Sequence, residues 1–343
     1  MTARMTLSPA PRLAAALAAA ALLTACSGTS AMPSAPAPPA PAPAAQPATD
    51  GYTPVTVQSC GSTLTFDAPP SRVVSTGQEA TEMLLALGLA HRVVGVSRTY
   101  NALPPELAAD FAKVPQLAGE DSAPREVTLA ARPDFVVAPY ATYDFDAAEG
   151  LATREDLAAA GAQVFGLRVN CTEDPASSTL EDTYADVLDL GRIFGVSDRA
   201  EQLVADMRAT VDDVRSRIAG RASVRVLAYA NGEGPLGVSG AGLATDLIRL
   251  AGGENVFADL AEGFGEVSVE VAAQRDPEAF VVNFYEGGPA AQDKIALLTG
   301  LLPNSPAARA GRAVGVDDAA LNEGVRNADA VAQIARALHP DAF

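Results

Sequence analysis

The feature that most constrains this chain is an alternation of short β-rich runs with helical stretches, met twice along its length. In the first half, strands are expected over 72–75, 93–96, 134–138 and 163–167, with helices over 79–87, 125–131 and 154–160 between them. The strand runs are crowded with β-branched and aromatic residues, and the helical runs repeat apolar residues at three- and four-residue steps. Strands separated by helices pair in parallel, so this half predicts an α/β sheet. The second half repeats the scheme: strands over 224–230 and 279–284, a helix over 244–251 ended by Gly252-Gly253, and a closing helix over 325–338. Ahead of both, runs over 53–58 and 62–66 flank Cys60-Gly61 and read as a small hairpin.

The halves also echo each other residue by residue. Thr81-Glu82-Met83-Leu84-Leu85-Ala86-Leu87-Gly88 parallels Thr245-Asp246-Leu247-Ile248-Arg249-Leu250-Ala251-Gly252. The stretch 129–137 parallels 271–282 after a short shift. Between the halves, from 179 to 218, Leu180, Tyr184, Val187, Leu188, Ile193 and Phe194, then Leu203, Met207, Val211, Val214 and Ile218, recur at helical steps. Gly191 and Gly195 are its weak points, which leaves one long helix or two abutting ones. The fold expected is therefore α/β with two lobes, 54–177 and 220–343, each with a central sheet. One long interlobe helix over 178–219 joins them, and a ligand cleft lies between the lobes.

The start of the chain gives an address. Arg4 and Arg12 precede an apolar run over 13–23, shorter than the roughly 20 residues a membrane-spanning helix needs. That run fits the core of a secretory signal, and Leu23-Thr24-Ala25-Cys26 resembles a bacterial lipobox. Residues 1–25 are expected to be removed and Cys26 lipidated, leaving an extracytoplasmic protein held to the cell membrane through that lipid alone. From 26 to 53 the chain is rich in Ala and Pro, has little to bury, and reads as a tether. With Cys26 assigned, Cys60 and Cys171 remain, and in an oxidising compartment they are expected to pair within the first lobe.

The chain carries 24 basic against 42 acidic residues, a net charge of −18. Such a surface repels phosphate backbones and excludes nucleic acid as a partner. Only His91 and His339 are present, so a three-histidine metal site cannot be built. Gly232, Gly234 and Gly237 match GxGxxG, but Pro235 and a further loop separate them from the next helix, and the dinucleotide fingerprint requires that helix at once. Gly237-Val238-Ser239-Gly240-Ala241 resembles a nucleophile elbow without its final glycine in step, and no Asp-then-His order follows to complete a triad. No catalytic residue, cofactor or resident metal is expected.

Taken together, these residues resemble the periplasmic-binding-protein family that serves ABC importers of ferric siderophores, haem and cobalamin. The resemblance runs over about 55–338. It is carried by Arg72-Val73-Val74-Ser75 with the 81–88 stretch, by Ala131-Arg132-Pro133-Asp134-Phe135-Val136-Val137, and by Gly252-Gly253-Glu254-Asn255-Val256-Phe257. It implies a monomeric binding protein, not an enzyme, that delivers an iron complex such as a ferric siderophore to an ABC permease. It also implies one docking glutamate on top of each lobe, matched here by Glu82 and Glu254.

Open α/β sheets bind ligands beyond the carboxyl ends of their strands. Those ends carry Thr76, Arg98, Tyr100, Tyr140, Tyr143 and Arg168 in the first lobe, and Tyr229, Asn231, Tyr285 and Arg326 in the second. Arginine forks and tyrosine faces suit a polar metal centre in an apolar shell. Haem remains an alternative cargo, with a tyrosine as axial ligand, and so does cobalamin, although the chain has no Trp for a broad aromatic clamp. A surface-anchored hydrolase and a purely adhesive protein are the alternatives from other classes.

Overall fold

The computed structural model describes residues 51–171 and 175–343. The expected leader, Cys26 and the tether as far as residue 50 lie outside the described residues. Among the described residues no helix is long and apolar enough to cross a membrane.

Strands β1 (Val55–Ser59) and β2 (Ser62–Phe66) form the antiparallel hairpin. Its two-residue tip requires left-handed backbone, taken by Cys60 (φ 47°) and Gly61 (φ 74°). Cys60 is bonded to Cys171 across 111 residues, as expected, with their Cα atoms 4.7 Å apart. A glycine makes room for that bond: a Cβ on Gly166 would stand 2.3 Å from the Cys60 sulfur and 2.8 Å from that of Cys171.

The first lobe is built on β3 (Val73–Ser75), β4 (Val93–Ser97), β5 (Gln116–Ala118), β6 (Phe135–Ala138) and β7 (Gln163–Gly166). They lie in the order β5-β4-β3-β6-β7, every pair parallel. The strand order reverses at β3, so a crevice opens above the carboxyl ends of β3 and β6. The second lobe holds β8 (Val224–Asn231), β9 (Leu236–Ser239), β10 (Gly253–Asn255), β11 (Phe264–Val267), β12 (Ala279–Phe284) and β13 (Ala313–Asp317). Here β8, β12 and β13 are parallel neighbours. The other edge of β8 is shared by β9, antiparallel, and β10, parallel, while β11 closes the sheet antiparallel to β9.

The internal echo is a structural repeat with a definite register. Helix Arg125–Ala130 leads into β6 through Arg132, and helix Val269–Gln274 leads into β12 through Asp276; both linking residues have φ 49° and precede a proline. The same clasp fixes each turn. Arg72 donates its Nε to the carbonyl of Arg132 (2.8 Å), and Arg225 donates its Nε to that of Asp276 (3.1 Å). The carboxylate two residues on then accepts the backbone N–H at the start of the partner strand: Asp134 from Arg72, Glu278 from Arg225. This register pairs Glu126 with Glu270 and Val127 with Val271.

The connecting segment over 178–219 takes the second of the two expected forms, abutting helices rather than one continuous helix. It is two helices, Leu180–Phe194 and Ser197–Arg217, packed antiparallel, with Arg208 of the second reaching back to Glu181 at the start of the first (2.5 Å). Gly195 takes the left-handed cap (φ 69°) that ends the first helix, and Gly191 has no Cβ to collide with Ala200 where the second helix turns back. The crossing itself belongs to Ser197–Arg217. It starts against the first lobe, where Arg199 donates to the Ala86 carbonyl (2.6 Å), and it runs about 31 Å, at about 1.5 Å per residue, to the entry of β8. Its apolar face, Val204, Met207, Val211 and Val214, is buried in a core that both lobes share.

Candidate functional site

Four of the ten strand-end residues named above face the space between the lobes. Two adjoining cavities occupy it. The larger, about 650 Å³, is lined from the first lobe by Thr142, Tyr143, Val169 and Asn170, and from the second by Asn231, Phe264, Asn283 and Asp318 among others. The smaller, about 430 Å³, shares Asn231, Asn283 and Asp318, and adds Tyr229, Tyr285, Asp293 and Lys294. Three aromatic side chains stand exposed in these cavities: Tyr143, at 71 % exposure, with Phe264 and Tyr285.

Of the expected ligand residues, Tyr143, Tyr229, Asn231 and Tyr285 line the cavities. The Tyr229 hydroxyl is spent locally, donating to the Gly232 carbonyl (2.6 Å). The other six line neither cavity and are held in bonds of their own. Arg98, held in left-handed backbone (φ 54°), pairs with the buried Asp144 (2.6 Å) and covers the Tyr140 ring at 4.5 Å. Thr76 donates to the same aspartate (2.7 Å). Arg168 is gripped by Asp186 and Asp189. Tyr100 and Tyr140 both donate to one oxygen of Glu79, Tyr140 at 3.0 Å. Arg326 spans the lobes, pairing with Glu82 of the first and with Asp317 at the end of β13 (3.0 Å). None of the three arginines brings an unpaired charge to the cleft.

Glu82 is the clear departure from expectation. It is 1 % exposed and saturated by Arg326 and by the Gln78 amide (2.9 Å), so it has no surface to offer a permease in this structure. The expected docking role at Glu82 is therefore withdrawn. The motif gave no sign of this burial, since the arginine that neutralises Glu82 stands 244 positions away.

Glu79, Asn283, Lys294, Phe264 and Asp318 were not anticipated from the sequence. Lys294 is buried and donates its Nζ to the carbonyls of Ala230 (2.6 Å) and Asn283 (2.9 Å). Asp318 follows β13 and is held by the amides of Asn283 (2.8 Å) and Asn322 (3.0 Å), with burial raising its pKa. The run Ala313-Val314-Gly315-Val316-Asp317 carries a strand-like alternation that would have pointed to this strand end. Among the described residues no three His, Cys, Asp or Glu side chains come close enough to hold a metal ion.

A second buried acid cluster joins the lobes behind the cleft. Glu323 accepts the backbone N–H of Val169 (2.8 Å) and lies in hydrogen-bonding contact with Asp186, whose other partners are Arg168 and its backbone N–H (2.7 Å). Burial raises both carboxyl pKa values, and the negative neighbours Asp182 and Asp189 add to the effect. Two buried carboxyls in contact hold one proton between them. Because the folded pKa values lie above those of the unfolded chain, this contact stabilises the fold at low pH and loses its contribution as pH rises through the raised values. Glu323→Gln keeps a donor for Asp186 and removes the titration. Urea denaturation at pH 5.5 and 8.5 is expected to show the wild type losing about 2 kcal/mol relative to that variant at the higher pH. Equal pH dependence of the two proteins would exclude the shared proton.

The two-lobed α/β fold agrees with what comparison with known proteins finds. The chain is 29 % identical over 233 residues to the vitamin B12-binding protein of Pectobacterium carotovorum subsp. carotovorum (strain PC1), covering 67 % of this chain and 75 % of that one. Among solved structures, it is similar to an ABC-type Fe3+-hydroxamate transport system protein from Saccharomonospora viridis, with a TM-score of 0.71, 26 % identity and coverage of 83 % and 99 %. A periplasmic heme-binding protein from Pseudomonas aeruginosa gives a TM-score of 0.62 at 26 % identity, covering 80 % and 94 %. Residues 73–320 match the model of the periplasmic binding protein family: the chain belongs to that family.

Proposed function

We propose that this protein is the extracytoplasmic binding component of an ABC importer, acting as a monomer tethered through a lipid on Cys26, and that it captures a ferric siderophore of the hydroxamate type. The observation that carries this reading is the charge of the cleft. Its arginines are consumed by carboxylates and Lys294 by carbonyls, while Asp318, Asp293 and Glu262 remain along the walls. A ferric trihydroxamate is neutral or cationic, with an apolar perimeter suited to Tyr143, Phe264 and Tyr285. A triply anionic ferric catecholate, or haem with its two carboxylates, would meet repulsion with no free guanidinium to offset it. Cobalamin is the second reading, favoured by the likeness to a vitamin B12-binding protein and by the two adjoining cavities, which together leave room for a larger ligand.

The chain from Ser27 onward, free of lipid, would be titrated with a ferric trihydroxamate, a ferric tricatecholate, haem and cyanocobalamin, following tyrosine fluorescence with native mass spectrometry for stoichiometry. Saturable one-to-one binding of the trihydroxamate is expected, with the tricatecholate weaker by at least about tenfold, or about 1.4 kcal/mol. Cobalamin binding without trihydroxamate binding would replace the leading reading with the second, and tight tricatecholate or haem binding would refute the charge argument.

Docking to the permease is assigned to Glu126 and Glu270. The structural repeat places them at equivalent positions, each in the first turn of a helix that begins at the cleft edge of its lobe, and both are exposed. Each is followed by an exposed valine, Val127 or Val271. Two matched carboxylate-plus-apolar patches on a rigid body supply both attraction and register for a positively charged partner. Glu254, though exposed, sits beside Arg225 at the far end of β8, roughly 20 Å from Asn231 at about 3.3 Å per residue.

A further inference from the structure

We propose that the cavity where the two connecting helices meet helix Leu243–Leu250 of the second lobe binds a small oxyanion, held by Arg208, Arg215 and the Tyr184 hydroxyl. The site is separate from the cargo space, since none of its residues lines either cavity of the cleft.

The cavity holds about 210 Å³ and has one wall from each of three helices. Tyr184 lies one turn into Leu180–Phe194. Arg208, Val211 and Arg215 recur at three- and four-residue steps along Ser197–Arg217, so they share one face of that helix. The antiparallel packing of the two helices lays that face over Tyr184, with the Arg208 guanidinium 4.6 Å above the ring. Tyr184 is only 3 % exposed, and its ring belongs to the core that both lobes share. Its hydroxyl is not sealed in that core, and among the described residues no group hydrogen-bonds it. The charges of Arg208, Glu181, Arg215 and Asp212, all around the cavity, act on this hydroxyl. Burial pushes its pKa up to about 12, so at neutral pH it keeps its proton and can donate it to a hydrogen bond.

Arg215 is the second donor without a partner. It stands 3.6 Å from Asp212, too far for a hydrogen bond, and its guanidinium makes none among the described residues. Arg208 meets Glu181 at 2.5 Å. The carboxylates around the cavity fall into two kinds. Asp246 is buried and saturated, accepting the Leu180 N–H (3.0 Å) and pairing with Arg249. Glu181 and Asp212 are exposed, and exposed ion pairs contribute little, so either carboxylate can turn out to solvent when a ligand takes its place. An oxyanion set between the two guanidiniums receives charge-assisted hydrogen bonds from both and a further one from Tyr184. The guanidinium fork matches carboxylate and phosphate geometry alike, while Leu180, Val211 and Leu250 give the cavity an apolar wall for a short hydrocarbon body.

The chain from Ser27 onward would be titrated by calorimetry at low ionic strength with inorganic phosphate, with butyrate, and with butylammonium as a control of opposite charge. Neither anion carries iron, so the outcome is independent of what the cleft binds. Saturable one-to-one binding of at least one anion is expected. Butyrate binding more tightly than phosphate assigns the site to an organic acid, and the reverse order assigns it to an inorganic oxyanion. Tyr184→Phe keeps the ring in the core and removes only the hydroxyl, and should weaken binding by about tenfold or more. Arg208→Gln combined with Arg215→Gln should abolish it. Circular dichroism and the thermal midpoint check that each variant is folded. Should the double variant fail to fold, Arg215→Gln alone removes a side chain that makes no hydrogen bond, and is expected to weaken binding by about tenfold. No saturation by either anion in the millimolar range, binding undiminished in the folded variants, or equal binding of butylammonium overturns the site.

Discussion

Arg326→Ala is expected to destabilise the protein by about 3–5 kcal/mol, the cost of leaving a buried charge without its partner. The Arg326 side chain is only 13 % exposed, and its guanidinium engages four acceptors: both Glu82 oxygens, Asp317 (3.0 Å) and the Ala102 carbonyl (3.1 Å). Removing it leaves the Glu82 carboxylate in the core with the Gln78 amide alone. Arg326→Lys should recover only part of the loss, since an ammonium cannot form the two-pronged contact with Glu82 and still reach Asp317. Arg326→Met combined with Glu82→Leu removes both charges at similar volume and should lie closer to the wild type than Arg326→Ala does. Urea midpoints for the four proteins give the answer, and a loss under about 1 kcal/mol for Arg326→Ala would mean that Glu82 finds water or another partner. The same bond sequence ties the first lobe to the second, so the deletion should also loosen the lobes against each other.

Reversing both proposed docking charges, Glu126→Arg with Glu270→Arg, should reduce uptake of the ferric complex by cells to background while leaving ligand binding by the soluble protein unchanged. Close interfacial charge pairs are worth about 1.5–7 kcal/mol each, so two reversals amount to at least about a hundredfold in docking affinity. Both residues are exposed and lie outside the two cleft cavities, so folding and cargo affinity serve as internal controls. Glu254→Arg, at the other end of β8, is expected to leave uptake intact. Uptake that survived the double reversal, or that was lost on Glu254→Arg, would move the docking surface elsewhere.

Both predictions rest on facts that could not be read locally. The Thr81-Glu82 motif was visible, and it suggested an exposed docking carboxylate; what buries Glu82 is an arginine 244 positions away. Arg98 and Arg168 do stand just after strands, but the carboxylates that neutralise them, Asp144, Asp186 and Asp189, come from a loop and from the first connecting helix. In the second lobe, β9 and β11 form an antiparallel margin with little periodicity of their own, and β13 closes on β12 across a helix the sequence did not announce. Asp318 was missed with that strand.

What the sequence by itself determined follows from short-range physics. Periods of two and of three to four residues dictate strands and helices, their alternation dictates parallel sheets, and the repetition of the pattern dictates two lobes with a cleft. Export and an even pair of remaining cysteines dictated the Cys60–Cys171 bond. Even the break in the connecting helix was marked by Gly191 and Gly195, although only packing against the shared core decided that the chain folds back there. Tertiary structure alone decided which charges are free and which are consumed, because an ion pair depends on two groups meeting in space, and burial multiplies its strength. That decision paired the arginines at the strand ends with carboxylates, and set two tyrosines and a glutamate at one point.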